Sequence, residues 1–234
     1  MSSLVFYFLV AALAAALALA VFPLRPVTRP FALVTALASV AGGVGVLMWP
    51  PPVDRPAREG RLLDAALPAY QFSERHQTRV CATAERIAEA IRLVEPGEVR
   101  WLGLLGGMRG VARVGSGDLR RPILESALAS GFELLNDTPN ELVMGAAGEF
   151  WRLKTESFGA GPAASGVPKA VFNFTIEPGP FGCQVVTTET RIYTADPTLL
   201  GKFAAYWRVI QPGSALLRRT WLDAIRTRAE AKKR

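Results

Sequence analysis

The sequence contains a single histidine, His76, two residues after Glu74 and four after Phe72. In an extended segment residues two apart share a face, so Tyr70–Val80 (YQFSERHQTRV) places Tyr70, Phe72, Glu74, His76, Thr78 and Val80 together. Gln71, Ser73, Arg75, Gln77 and Arg79 alternate onto the other, solvent-like face. A buried carboxylate beside an imidazole can relay a proton near neutral pH, which makes Glu74 and His76 the candidate acid and base. The same two groups can also satisfy each other and do no chemistry. One histidine excludes multi-histidine metal sites and makes any Ser-His-Asp arrangement depend on His76; no metal site and no cofactor is expected. Glu189 and Arg191 are likewise two apart on a later segment, with Val186, Thr188, Thr190 and Ile192 on its more apolar face. Cys81 and Cys183 lack C-x-x-C spacing, which argues against metal binding. Buried free thiols are the default reading, and a disulfide, which requires an oxidising compartment, is the alternative.

These residues must be held by elements that the pattern indicates. Leu62–Pro68 suits a short helical turn, and 83–94 (TAERIAEAIRLV) reads as an amphipathic helix with Ile87, Ala90, Ile91 and Val94 on one stripe, stopped by Pro96-Gly97. A second short helix fits 99–105. Residues 106–121 are rich in Gly and Arg and read as loop, without the spacing of a phosphate-binding fingerprint. Strands are expected at 131–136, 141–147, 149–154, 169–177 and 183–193, with turns at 137–140 and 178–180. From Pro197 a helical pattern runs almost to the terminus, with an expected interruption at Pro212-Gly213. Its stripe of Phe203, Tyr206, Trp207, Ile210, Leu217, Trp221, Leu222 and Ile225 reads as core. Consecutive strands joined by tight turns and followed by a long helix imply an α+β domain with an antiparallel sheet.

The first fifty residues differ in kind. Segments 4–22 and 31–49 are 19 residues each and carry no charge, and all 20 acids of the chain lie beyond residue 50. At about 1.5 Å per residue each run spans about 30 Å, the thickness of a bilayer core. A signal peptide fits poorly, because the start lacks a basic side chain and Val21-Phe22-Pro23 is a poor cleavage site. The expectation is a transmembrane helical hairpin over 1–49, a Pro-rich linker over 50–67 and a folded domain over 68–234, in a protein of a bacterial inner membrane. Arg25 and Arg29 in the connector nearly balance Arg55, Arg58 and Arg61 on the other side, so the orientation stays open. Basic residues elsewhere are scattered without an aromatic-basic motif, and nucleic acid is not an expected partner. The basic end RTRAEAKKR suits a helix C-terminus or contact with anionic headgroups.

The element order, Glu74-Arg75-His76 in the first strand, Gly148-Glu149-Phe150-Trp151, and Thr188-Glu189-Thr190-Arg191 running into Phe203, Tyr206-Trp207, Pro212, Ser214 and Arg218-Arg219 resemble the START-like, or SRPBCC, superfamily over roughly residues 68–230. The resemblance implies a helix-grip fold: a curved antiparallel sheet around the long C-terminal helix, with an internal cavity for an apolar or amphipathic ligand. Cavity residues would then be Phe72, Glu74, His76, Thr188, Thr190, Phe203 and Trp207. It also implies that the first and last strands are antiparallel neighbours. With Cys81 near Cys183, Arg75 falls opposite Glu189 as an exposed pair, and His76 opposite Thr188. The superfamily shares no catalytic motif. The expected function is therefore a membrane-anchored module binding a small molecule or lipid. A cyclase- or dehydratase-type enzyme using Glu74 and His76, or an interaction protein without ligand, are the alternatives.

Overall fold

The computed structural model describes residues 51–55, 60–100, 102, 120–152, 154–156, 158–159 and 166–231. The apolar runs 4–22 and 31–49 lie outside these residues, as do most of 99–105 and 106–121. Among the described residues no helix is long and apolar enough to cross a membrane.

In chain order the elements are α1 (Leu62–Ala66), β1 (Phe72–Val80), α2 (Ala84–Leu93), α3 (Ile123–Ala129), β2 (Glu133–Asp137), β3 (Glu141–Glu149), β4 (Lys154–Glu156), β5 (Lys169–Pro178), β6 (Gln184–Tyr193) and α4 (Pro197–Glu230). The strands form one antiparallel sheet in the order β1-β6-β5-β3-β2, with β4 pairing β3. This is the α+β class, and β1 and β6 are neighbours. Their register matches the expectation residue by residue: Arg75 faces Glu189 and His76 faces Thr188.

Three elements depart from the sequence pattern. Helix α3 falls where none was assigned. Its Ile123 amide donates to the Val94 carbonyl at 2.9 Å, and Ile123 and Leu124 are buried, so a contact with the end of α2 holds a seven-residue helix too short to persist alone. The strand expected over 149–154 is instead a turn at Phe150–Arg152 that folds β4 back onto β3, with Glu149 opposite Lys154. Helix α4 runs through Pro212 without a break. An internal proline costs about 3 kcal/mol; buried side chains on both flanks, Phe203 and Ala204 before it and Ser214, Trp221, Leu222 and Ile225 after it, outweigh that loss. The N-terminus of α4 follows the rules of helix starts, with Pro197 in the first turn and Asp196 Oδ1 accepting from the amides of Thr198 (2.7 Å) and Leu199 (3.2 Å).

The chain falls into two compact units. Within α4, Gly201–Val209 belongs to one of them, and Pro52–Leu200 with Ile210–Arg234 forms the other. In this second unit the sheet has two covered faces. The inner face packs Val80, Leu142, Met144, Phe172, Phe174, Ile176 and Val186 against α2, α3 and the later half of α4, where Trp221, Leu222 and Ile225 are buried. Full burial of such aliphatic and aromatic side chains contributes about 1.5–3 kcal/mol each. The outer face is covered by α1: Leu63, Leu67 and Tyr70 meet Val143, Phe158 and Val171. Part of the segment read as linker is therefore docked, and Asp54 and Tyr70 add a bridge, exchanging backbone hydrogen bonds of 2.7 and 3.1 Å.

Candidate functional site

Strict alternation of β1 and β6 builds a row of polar groups on the inner face. Glu74 lies opposite Thr190 and His76 opposite Thr188; directly opposed residues of an antiparallel pair hold their Cβ atoms about 4.5–5.5 Å apart. On the other side of β6, Thr190 faces Phe172 and Thr188 faces Phe174 of β5. Trp221 of α4 closes the row from above, its ring centred 6.2 Å from Phe172 and 5.0 Å from Phe174. The Arg218 guanidinium stacks 4.4 Å over Phe172 and 5.4 Å over Trp221. Helix and sheet thus converge on four residues, Glu74, Thr188, Thr190 and Trp221, amid aromatic rings.

Within the row, His76 Nε2 and Glu74 Oε1 are 2.7 Å apart. Arg219 Nε approaches His76 Nδ1 at 3.5 Å. A guanidinium only donates, so Nδ1 is the acceptor and the imidazole proton sits on Nε2, donating to Glu74. The Glu74 side chain is 3% exposed and that of His76 13%. The sequence reading that the two groups satisfy one another holds for one carboxylate oxygen. The other, Glu74 Oε2, is buried with no partner among the described residues, and so are Thr188 Oγ1, Thr190 Oγ1 and Trp221 Nε1. Buried polar atoms are normally paired, and leaving one unpaired costs about 1–3 kcal/mol. Four such atoms lie on one strip, unmet by the described residues.

Phe72 shares the inner face and is buried. Phe203 and Trp207 stack on each other, with centroids 6.0 Å apart, in the compact unit that contains Gly201–Val209. A cleft between α2 and the turn at Thr138–Asn140, floored by Phe174 and Ile176, holds about 10 Å³, the space of about one water molecule.

Two expectations need correction. The cysteines are not free: Cys81 and Cys183 form a disulfide, with Cα atoms 4.2 Å apart. The β1–β6 register that aligns Arg75 with Glu189 also brings the ends of the two strands together, whereas spacing in the chain carried no such signal. The second correction concerns Glu189, which is not the exposed partner of Arg75. Glu189 and Arg191 are buried beneath α1. Arg191 Nε donates to Glu189 Oε1 (2.6 Å) and Nη1 to Asp64 Oδ1 (2.7 Å), while its guanidinium lies 4.7 Å over the Tyr70 ring. Burial opposes the Arg191 charge, but the two carboxylates more than offset it and hold the guanidinium above its ordinary range. Glu189 Oε2 also accepts from Arg61 at 3.3 Å. Asp64 Oδ2 takes the Arg61 amide at 3.1 Å, and Glu141 takes the amides of Leu62 (2.9 Å) and Leu63 (3.2 Å), so two carboxylates cap the start of α1. Asn173 completes the network, donating to Glu141 at 2.7 Å and accepting the Glu189 amide at 3.0 Å. Gln71, placed by alternation on the solvent-like face, is buried too and pairs with both backbone groups of Thr194. Further along the same face Lys169 is buried, its ammonium 5.1 Å over the Phe158 ring, and burial pushes its pKa down.

No family model matches the chain, and no curated protein does. Solved structures similar to it include a conserved protein from Geobacillus kaustophilus, at 13% identity, covering 67% of this chain and 93% of that one with a TM-score of 0.33. The di-domain ARO/CYC BexL from the BE-7585A biosynthetic pathway matches at 10% identity, over 88% of this chain and 59% of its own, with a TM-score of 0.31. Truncated norcoclaurine synthase from Thalictrum flavum matches at 12% identity, over 69% and 95%, with a TM-score of 0.28. Likeness at this level decides nothing about the reaction or ligand of the present chain.

Proposed function

We propose that this protein binds a small molecule with an apolar body and a polar end between the sheet and α4, in a domain tethered to a membrane by the hairpin of residues 1–49. The observation that carries the reading is the set of buried atoms on Glu74, Thr188, Thr190 and Trp221 without a partner among the described residues, framed by Phe172 and Phe174. An apolar lining with a few convergent polar groups is the usual composition of a ligand site. Native mass spectrometry of the full chain, purified from its membrane, should find a co-purified small molecule. His76→Ala, which frees Glu74 from its partner, should weaken retention about 2- to 10-fold, matching a hydrogen bond of about 0.5–1.5 kcal/mol. Arg75→Ala, exposed on the outer side of β1, should leave retention unchanged. Equal losses from both would overturn the assignment of faces. No bound molecule, and no response to either change, would leave an interaction protein with a filled core.

A second reading, an acid–base enzyme of the cyclase or dehydratase type, is favoured by the 2.7 Å contact of His76 with Glu74. Oε2 would take or give the proton inside, and His76, whose side chain is 13% exposed, would link it to the surface. Turnover abolished by His76→Ala with the molecule still bound would select it.

Tethering is supported by the two uncharged 19-residue runs, and placement of the domain in an oxidising compartment by the Cys81–Cys183 bridge. Carbonate extraction of membranes, combined with impermeant thiol labelling of intact cells before and after reduction, tests both. Release from the membrane pellet would remove the anchor, and labelling without reductant would remove the bridge.

A further inference from the structure

We infer that the polar end of the bound molecule is an uncharged group carrying both a hydrogen-bond donor and an acceptor, a hydroxyl being the simplest. This rests on the binding reading above and adds the chemistry of the head group. The argument comes from what each unpartnered atom can do. As a carboxylate, Glu74 only accepts, and Oε2 is the oxygen left over, since Oε1 takes the His76 Nε2–H while Arg219 approaches the other ring nitrogen. The Trp221 indole N–H donates and cannot accept. The hydroxyls of Thr188 and Thr190, flanking these two on β6, rotate to serve either need.

The strip therefore contains one obligate acceptor and one obligate donor. A carboxylate or phosphate monoanion satisfies Trp221 but has its oxygens facing Glu74, where like charges repel. An ammonium satisfies Glu74 but has no lone pair for Trp221. A hydroxyl gives its proton to Glu74 and takes the indole N–H on its oxygen, leaving nothing unpaired. A charged head of either sign leaves one buried partner unmet, which costs about tenfold or more in affinity where that partner is charged.

The test uses the full chain in lipid nanodiscs at pH 7, titrated calorimetrically with 1-octanol, octanoate and octylammonium chloride, with the heats of empty nanodiscs subtracted. The expected result is binding of 1-octanol at least about tenfold tighter than octanoate, and about two- to tenfold tighter than octylammonium, which leaves only the neutral indole unmet. Glu74→Gln should narrow the gap between octanol and octanoate, because the amide can donate where the carboxylate could not. Octanoate or octylammonium binding as tightly as octanol to the unaltered chain would overturn the head-group inference and leave the binding module standing. All three giving the heats of empty nanodiscs would mean that only water fills the strip, and would take the binding reading down with it.

Discussion

The two faces of one sheet treat buried polar groups in opposite ways. On the outer face, beneath α1, Arg191 meets Glu189 and Asp64, Asn173 meets Glu141 and the Glu189 amide, and the carboxylates of Asp64 and Glu141 cap the helix that covers them. On the inner face, the second oxygen of Glu74, the hydroxyls of Thr188 and Thr190 and the Trp221 N–H have no partner among the described residues. Residues 188 to 191 supply both sets alternately. The outer face is not perfect, since the Thr175 and Thr187 hydroxyls are unmatched there, but Arg191, Glu189, Asp64 and Glu141 all have hydrogen-bond partners, and charges dominate the cost of burial. A network closed on itself holds the chain together. A set left open is where a folded protein accepts something else.

The largest effect that could break this contrast lies on the outer face. Arg191→Ala should destabilise the fold by about 3–5 kcal/mol, because it strands two buried carboxylates without removing either. Urea unfolding of the full chain in nanodiscs measures it, and a loss under 1 kcal/mol would mean that the outer network is solvated and the two faces are alike. The smaller effect sharpens the contrast. Thr190→Val deletes an unmatched hydroxyl at nearly constant volume and should leave stability unchanged or raise it by about 1 kcal/mol, whereas Asn173→Leu, which orphans the Glu189 amide, should cost about 1–3 kcal/mol. The same unfolding experiment reads both, and a loss at Thr190 equal to that at Asn173 would show that the inner hydroxyl is already satisfied.

Alternation was legible in the chain. Phe72, Glu74, His76 and Val80 fall on one face because side chains of a strand alternate with period two, and the polar face of β6 separates from its apolar one for the same reason. With β1 and β6 taken as neighbours and Cys81 set near Cys183, the register followed, and alternation agreed with it, because slipping it by one residue would exchange the inner and outer sets entirely. The stripe of α2, Ile87, Ala90, Ile91 and Val94, was legible from the helical period.

What no pattern in the chain could state was the covering of each face. The charged face of β6 reads as solvent-exposed, yet it is buried because Leu63 and Leu67, more than a hundred residues earlier, lay α1 across it. The disulfide, the alternative to free thiols in the sequence reading, was decided for a similar reason only by the fold, since 102 residues separate Cys81 from Cys183 and strand pairing joins them. Periodicity is local and determined which side chains act together: Glu74 with His76, Glu189 with Arg191. Burial and pairing are properties of what arrives from elsewhere in the chain, so tertiary structure alone decided that the second pair is locked and that the first keeps an oxygen in reserve.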